Sequence, residues 1–124
     1  MRGLNILLVD DNVNFINAFK YVLHNIECDN SIENIYTALN GEECLSIVKK
    51  EKLDLVFIDA DMPEMDGAEA TRQIVMHNNS IKIVALSFHK EAEYIRRMIC
   101  AGAVNYLKKD ELSIEVLRDE LNLK

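Results

Sequence analysis

Apolar and polar positions along the chain alternate between two regimes. Ile6-Leu7-Leu8-Val9 is an unbroken apolar run, the mark of a strand covered on both faces. After it come Phe15, Ile16, Phe19, Val22, Leu23 and Ile26, spaced by threes and fours as on one side of an amphipathic helix. The same succession then repeats. Ile35-Tyr36-Thr37-Ala38 predicts a second strand, the weakest of the set, and Cys44, Leu45, Ile47 and Val48 predict a helix after Asn40-Gly41. Leu53 to Ile58 predicts a third strand, followed by a helix from about Ala68 to His77 with Asp66 as its N-cap. Ile81 to Leu86 reads as a fourth strand. Ala92, Ile95, Met98 and Ile99 place a helix that stops at Gly102, the residue type expected just past a helix end. A fifth strand near Val104 to Leu107 precedes a last helix with Ile114, Leu117 and Leu121 on one face.

Five strand-helix units joined by short loops predict a parallel sheet with helices on both faces, because right-handed crossovers lay each helix against the sheet. Among doubly wound sheets, five strands favour the flavodoxin-like order 2-1-3-4-5. No Gly/Ser-rich linker, repeat or low-complexity run interrupts residues 1–124, which read as one domain. At 124 residues such a domain buries roughly two-thirds of its unfolded surface, enough for one core.

Charge and cysteine content narrow the functions open to this fold. The 14 basic and 21 acidic residues leave a net charge of −7, which disfavours direct nucleic-acid or anionic-membrane binding and suits a cation. No 18-residue apolar run or signal-peptide pattern is present, so the expectation is a soluble cytoplasmic protein. Cys28, Cys44 and Cys100 are odd in number and lack C-x-x-C spacing, which argues for reduced structural cysteines rather than a disulfide framework or zinc site.

In doubly wound sheets ligands bind outside the carboxyl ends of the strands. Those ends carry Asp10 and Asp11 after strand 1, Asp59 after strand 3, Ser87 after strand 4 and Lys109 after strand 5. Singly each has a bland reading: an Asp pair caps a helix, a serine caps another, a lysine faces solvent. As a set on neighbouring strands they should converge. Three converging carboxylates exceed what Lys109 can neutralise, and a hard divalent ion such as Mg2+, which takes carboxylate, water and phosphate oxygens, resolves the repulsion. Phosphoryl chemistry follows, with Asp59 as an in-line nucleophile and Lys109 and Ser87 stabilising the transferred group. In "FIDADMPEMDG", Pro63 cannot continue a strand ladder and Gly67 opens the next helix, fixing the backbone beside this site.

These residues carry a resemblance to a known family. "ILLVDDN", "DLVFIDADMPEMDG", "IVALS" and "AGAVNYLKKD" resemble, in order and spacing, the signatures of receiver domains of bacterial two-component response regulators. The resemblance covers nearly the whole chain and implies a CheY-like (βα)5 domain. It implies that Asp59 accepts a phosphoryl group from a phosphohistidine of a sensor histidine kinase or histidine phosphotransfer protein. Asp11 then corresponds to a direct Mg2+ ligand, Asp10 to an acid acting through a coordinated water, and Asp61 to a residue that lends its backbone carbonyl.

Ser87 and Lys109 correspond to the hydroxyl and lysine that contact the phosphoryl oxygens. Ser87 and Tyr106 correspond to the switch residues that report phosphorylation to the surface of helix 4, strand 5 and helix 5. Two departures stand out. Asp110 follows Lys109 where many receivers have a cis proline, which leaves the isomer of that bond open, and Phe88 replaces a small residue, restricting access to the site. The stretch from Leu86 to Asp110 is most similar to receivers that precede a LuxR-type helix-turn-helix output. Output control and phosphorylation-dependent dimerisation are the family's expectations.

Other function classes remain. Asp59-Ala60-Asp61 resembles the D-x-D of haloacid-dehalogenase-type phosphatases, but the second acidic pair comes early and Met62-Pro63 replaces Gly-Thr. A phosphorylation-independent interaction module would ordinarily lose an acid or the lysine. A flavin-binding module would place hydroxyls and glycine, not two carboxylates, after strand 1.

Overall fold

A computed structural model describes residues 3–26, 31–62 and 65–122 of the chain. Pro63 and Cys28, both singled out from the sequence, lie outside the described residues. The elements run β1 (Leu4–Val9), α1 (Val13–His24), β2 (Ile32–Ala38), α2 (Gly41–Lys50), β3 (Leu55–Asp59), α3 (Gly67–His77), β4 (Lys82–Ser87), α4 (Ala92–Ala101), β5 (Asn105–Lys108) and α5 (Ile114–Leu121). A 3-10 turn, Lys109–Glu111, links β5 to α5. The strands form one parallel sheet of order β2-β1-β3-β4-β5, as the alternation predicts.

Side-chain alternation divides the core into two halves. Leu7, Val9, Val56, Ile58, Ile83 and Ala85 point to one face, where they meet Cys44 and Val48 of α2, Ala70 and Ile74 of α3, and Met98 of α4. Ile6, Leu8, Leu55, Phe57, Val84 and Leu86 point to the other, against Phe19 and Leu23 of α1 and Leu117 and Leu121 of α5. This is why β1, β3 and β4 read as unbroken apolar runs: both of their faces are covered. β2 sits at an edge, and its mixed pattern hides its first paired residues, so the strand begins at Ile32 rather than Ile35.

Most helix starts are fixed by side-chain caps. Phe15, Glu43, Glu69 and Val116 donate their backbone N–H groups to Asn12, Asn40, Asp66 and Ser113 respectively. The start of α4 differs: Glu91 stands at its N-cap without a side-chain hydrogen bond, and within the helix only Met98 and Ala101 are buried. Ile99 is 43% exposed, Val104 62% and Ile114 54%, so three residues read from periodicity as packing positions face outward instead. They lie on α4, before β5 and at the first turn of α5.

Gly102 ends α4 with φ +125°, a conformation available to glycine at little cost. Gly67 serves another purpose. A Cβ there would meet the carbonyl oxygen of Asp59 and approach the Cα of Ala60 to 2.7 Å, so glycine lets the start of α3 press against the end of β3. Gly67 N–H seals the contact by donating to the Ala60 carbonyl. Cys44 is buried, which pushes its thiol up to about 12, and Cys100 is exposed; neither is in a disulfide. Among the described residues every peptide bond is trans, Lys109 to Asp110 included.

Candidate functional site

The sheet brings the candidate residues together at the carboxyl ends of four adjacent strands. Asp10 follows β1 and is 1% exposed; Asp59 ends β3 and is 4% exposed; Asp11 is exposed at the rim. One carboxylate oxygen from each of Asp10, Asp11 and Asp59 lies within 4.8 Å of the others. Opposite ligands in a magnesium octahedron are about 4 Å apart, so an all-oxygen cluster of this size and charge fits a small hard cation.

Backbone N–H groups orient the two buried acids. Asn12 N–H donates to Asp10 Oδ1 at 2.9 Å, and Asp61 N–H donates to Asp59 Oδ1 at 3.0 Å. In each case the chain turns back on the acid as it leaves the strand, leaving Oδ2 for other partners. Lys109, 7% exposed in its side chain, supplies one: Nζ lies 2.6 Å from Asp10 Oδ2 and 3.6 Å from Asp59 Oδ2. Burial nevertheless dominates at Asp59 and pushes its carboxyl up to about 6. The Asp61 N–H and the Lys109 ammonium oppose the rise, and the charges of Asp10 and Asp61 add to it.

Ser87 is 1% exposed, and its hydroxyl is engaged on both sides. It donates to Asp61 Oδ2 at 3.3 Å and accepts from His89 N–H at 3.0 Å. The Asp61 carboxylate also meets His89 Nε2 at 3.1 Å, so its side chain turns toward the loop after β4. Tyr106 on β5 is half-buried against the core, and its hydroxyl donates to the His89 carbonyl at 2.9 Å. Phe88 is 64% exposed, with its ring centroid 5.4 Å from Lys109 Nζ. All of the candidate residues therefore gather around one end of the sheet.

Two participants escaped sequence reading. The Phe15 ring lies 4.5 Å from Lys109 Nζ, although its spacing marks it only as part of the α1 stripe. His89 joins Asp61 to Tyr94, whose ring it stacks on at 3.9 Å and 3°. Its place two residues after Ser87 was the available signal, since a short loop after a strand end must stay near that end.

Residues 6–122 match the response regulator receiver domain family, and the chain belongs to that family. It is 32% identical over 114 residues to the transcriptional regulatory protein YxjL of Bacillus subtilis, covering 92% of this chain and 51% of that protein. The response regulator UvrY of Escherichia coli K12 gives the same identity and the same coverage. The chain thus spans about half the length of these curated relatives. Regulators of the NarL/LuxR type are among its relatives, in keeping with the subfamily resemblance. Its fold matches that of the signal receiver domain of an HD domain-containing protein from Pseudomonas fluorescens Pf-5. The TM-score is 0.85 at 23% identity, over 97% of this chain and 92% of that one.

Proposed function

We propose that the chain is the phosphoacceptor switch of a two-component phosphorelay, with Asp59 as the acceptor. The observation that carries this reading is the cluster itself: Asp59 is buried within 4.8 Å of two further carboxylates and 3.6 Å from a buried lysine. An array so rich in negative charge at a ligand-binding strand end suits a cation and a phosphoryl group together.

In the proposed reaction a carboxylate oxygen of Asp59 attacks the phosphorus of a phosphohistidine on a sensor kinase or phosphotransfer protein. A P–O bond forms as the P–N bond breaks, and the imidazole leaves with the electron pair and takes up a proton. Asp10, Asp11 and Asp59, with the backbone carbonyl of Asp61, are the groups that would hold Mg2+, which when bound offsets charge on the phosphoryl oxygens. Lys109 stands between Asp10 and Asp59 and can donate to the incoming group from nearly its present position. Ser87 reaches the phosphoryl group by turning its hydroxyl away from Asp61.

The same bonds support an output. Ser87 accepts from the His89 N–H while Tyr106 donates to the His89 carbonyl, so one peptide-bonded loop links the phosphate contact to the aromatic on β5. α4, weakly capped and shallowly buried, is the element best suited to shift between two arrangements. The reading surface is then α4, β5 and α5, where an output domain, a downstream protein or a second copy would dock. Phe88 restricts entry of water and small phosphodonors. We place the protein in the cytoplasm, in keeping with the receiver family it belongs to; no helix among the described residues is long and apolar enough to cross a membrane.

The test is intact mass after incubation with a phosphorylated histidine protein, and separately with phosphoramidate, in Mg2+ and in EDTA. One phosphoryl addition that needs Mg2+ and is absent from Asp59→Asn supports the switch. No addition from either donor would favour an interaction module that works without phosphorylation.

A further inference from the structure

Lys109 is held in an unusual way for a group that must meet a phosphoryl oxygen. Its ammonium lies 4.5 Å from the centroid of Phe15 on one side and 5.4 Å from that of Phe88 on another, both within the range of cation–π attraction. Its only anionic contacts are Asp10 at 2.6 Å and Asp59 at 3.6 Å among the described residues. The side chain is 7% exposed, so aromatic faces stand where water would otherwise solvate the charge.

Phe15 is itself fixed from two directions. Its N–H donates to Asn12 Oδ1, and Asn12 N–H donates to Asp10 Oδ1, so the short loop that orients Asp10 also places this ring. Behind it the ring contacts Phe19 at 5.6 Å and 50°, and Phe19 contacts Phe57 at 5.0 Å and 58°. That aromatic ladder runs from the core of the sheet to the ammonium. Phe88, being largely exposed, closes the other side without such support.

We propose that Phe15, assisted by Phe88, is a positioning residue for phosphoryl transfer, forming an aromatic clamp that holds the Lys109 ammonium in place beside Asp59. The proposal deepens the phosphoacceptor reading and rests on it for its kinetic consequence. Without the ring, the flexible four-carbon stem of lysine would let the charge swing away from Asp59 and into solvent, and fewer encounters would find it aligned. The π face, rather than bulk alone, is what the clamp requires.

The experiment compares wild type, Phe15→Leu and Phe15→Tyr, each shown by urea unfolding to be folded, in saturating Mg2+ with phosphoramidate as donor. The rate of phosphoryl addition to Asp59 should fall about tenfold in Phe15→Leu and stay within about twofold of wild type in Phe15→Tyr, as expected for loss and retention of a desolvated cation–π contact. Unchanged kinetics in Phe15→Leu would overturn the proposal, and so would equal slowing in both variants, which would make the role one of side-chain volume. A second readout does not depend on phosphorylation. The Lys109 ε-methylene proton signals should be shifted upfield by the rings relative to the other lysines, a shift reduced in Phe15→Leu and kept in Phe15→Tyr. If wild type takes up no phosphoryl group from phosphoramidate or from a phosphorylated histidine protein, the functional reading fails while this signal still decides whether the clamp exists; an ordinary Lys109 signal would sink the clamp alone.

Discussion

Replacing Asp59 by asparagine should stabilise the protein, and the amount follows from its surroundings. Asp59 is 4% exposed, and burial pushes its carboxyl from the ordinary 3.8 up to about 6 in the fold. That gap corresponds to about 3 kcal/mol of preference for the neutral form. The sign is the reverse of a salt-bridged carboxylate. Well below pH 3.8 the group is protonated in both folded and unfolded chains and has no effect; as pH rises toward about 6 the unfolded chain ionises first, and stability is lost. Above about 6 the loss is complete. An asparagine in its place would keep the acceptor oxygen that Asp61 N–H uses while removing the charge.

Urea unfolding in EDTA at pH 7.5 and again near pH 4 measures this directly. At pH 7.5 the Asp59→Asn midpoint should rise by about 1–2 M, given the urea dependence usual for a domain of this size, with little change in slope. Near pH 4 the gap between the two proteins should shrink to a small fraction of its pH 7.5 value. Mg2+ should raise the wild-type midpoint and narrow the gap at pH 7.5, because it binds the folded cluster and not the unfolded chain. An asparagine variant no more stable than wild type at pH 7.5 in EDTA would refute the argument that burial and like charge dominate at Asp59.

Other substitutions test neighbouring parts of the account. Gly67→Ala should destabilise by about 2–3 kcal/mol in chemical unfolding, since the added Cβ meets the Asp59 carbonyl oxygen and the backbone must move. Lys109→Met should abolish efficient phosphoryl transfer, with unfolding experiments showing greater sensitivity to rising pH because Asp59 loses the cation beside it. Phe88→Ala should shorten the phosphoryl half-life, followed as loss of the added mass over time; an unchanged half-life would remove Phe88 as a barrier to water. Tyr106→Phe should cost about 1 kcal/mol through the lost bond to the His89 carbonyl.

The sheet and its chemistry were legible for different reasons. Strands covered on both faces leave unbroken apolar runs, and the first polar residue after each run marks a strand end; that logic places Asp10, Asp59 and Ser87 together from the sequence alone, with Lys109 one residue beyond the first polar residue after the fifth run. Edges are harder to read. β2 is an edge strand of mixed, mostly part-exposed residues, and Glu33 and Asn34 conceal its beginning. Periodicity also could not show that Ile99 and Ile114 face outward, because an apolar stripe looks the same whether the sheet or solvent meets it. Phe15 and His89 were hidden more deeply. A phenylalanine at helical spacing reads as core, and only the tertiary approach of β5 to the start of α1 gives it a lysine to face. The turn of the Asp61 carboxylate toward Ser87 and His89 likewise depends on a loop from a different strand.

The central claim is that Asp59 itself becomes phosphorylated. The most direct test is to phosphorylate the protein in Mg2+, reduce the acyl phosphate with sodium borohydride, and locate the modified residue by tandem mass spectrometry of the digest. Homoserine is expected at Asp59, dependent on prior phosphorylation. Homoserine at another aspartate, or none at all despite a stable added phosphoryl group, would contradict it.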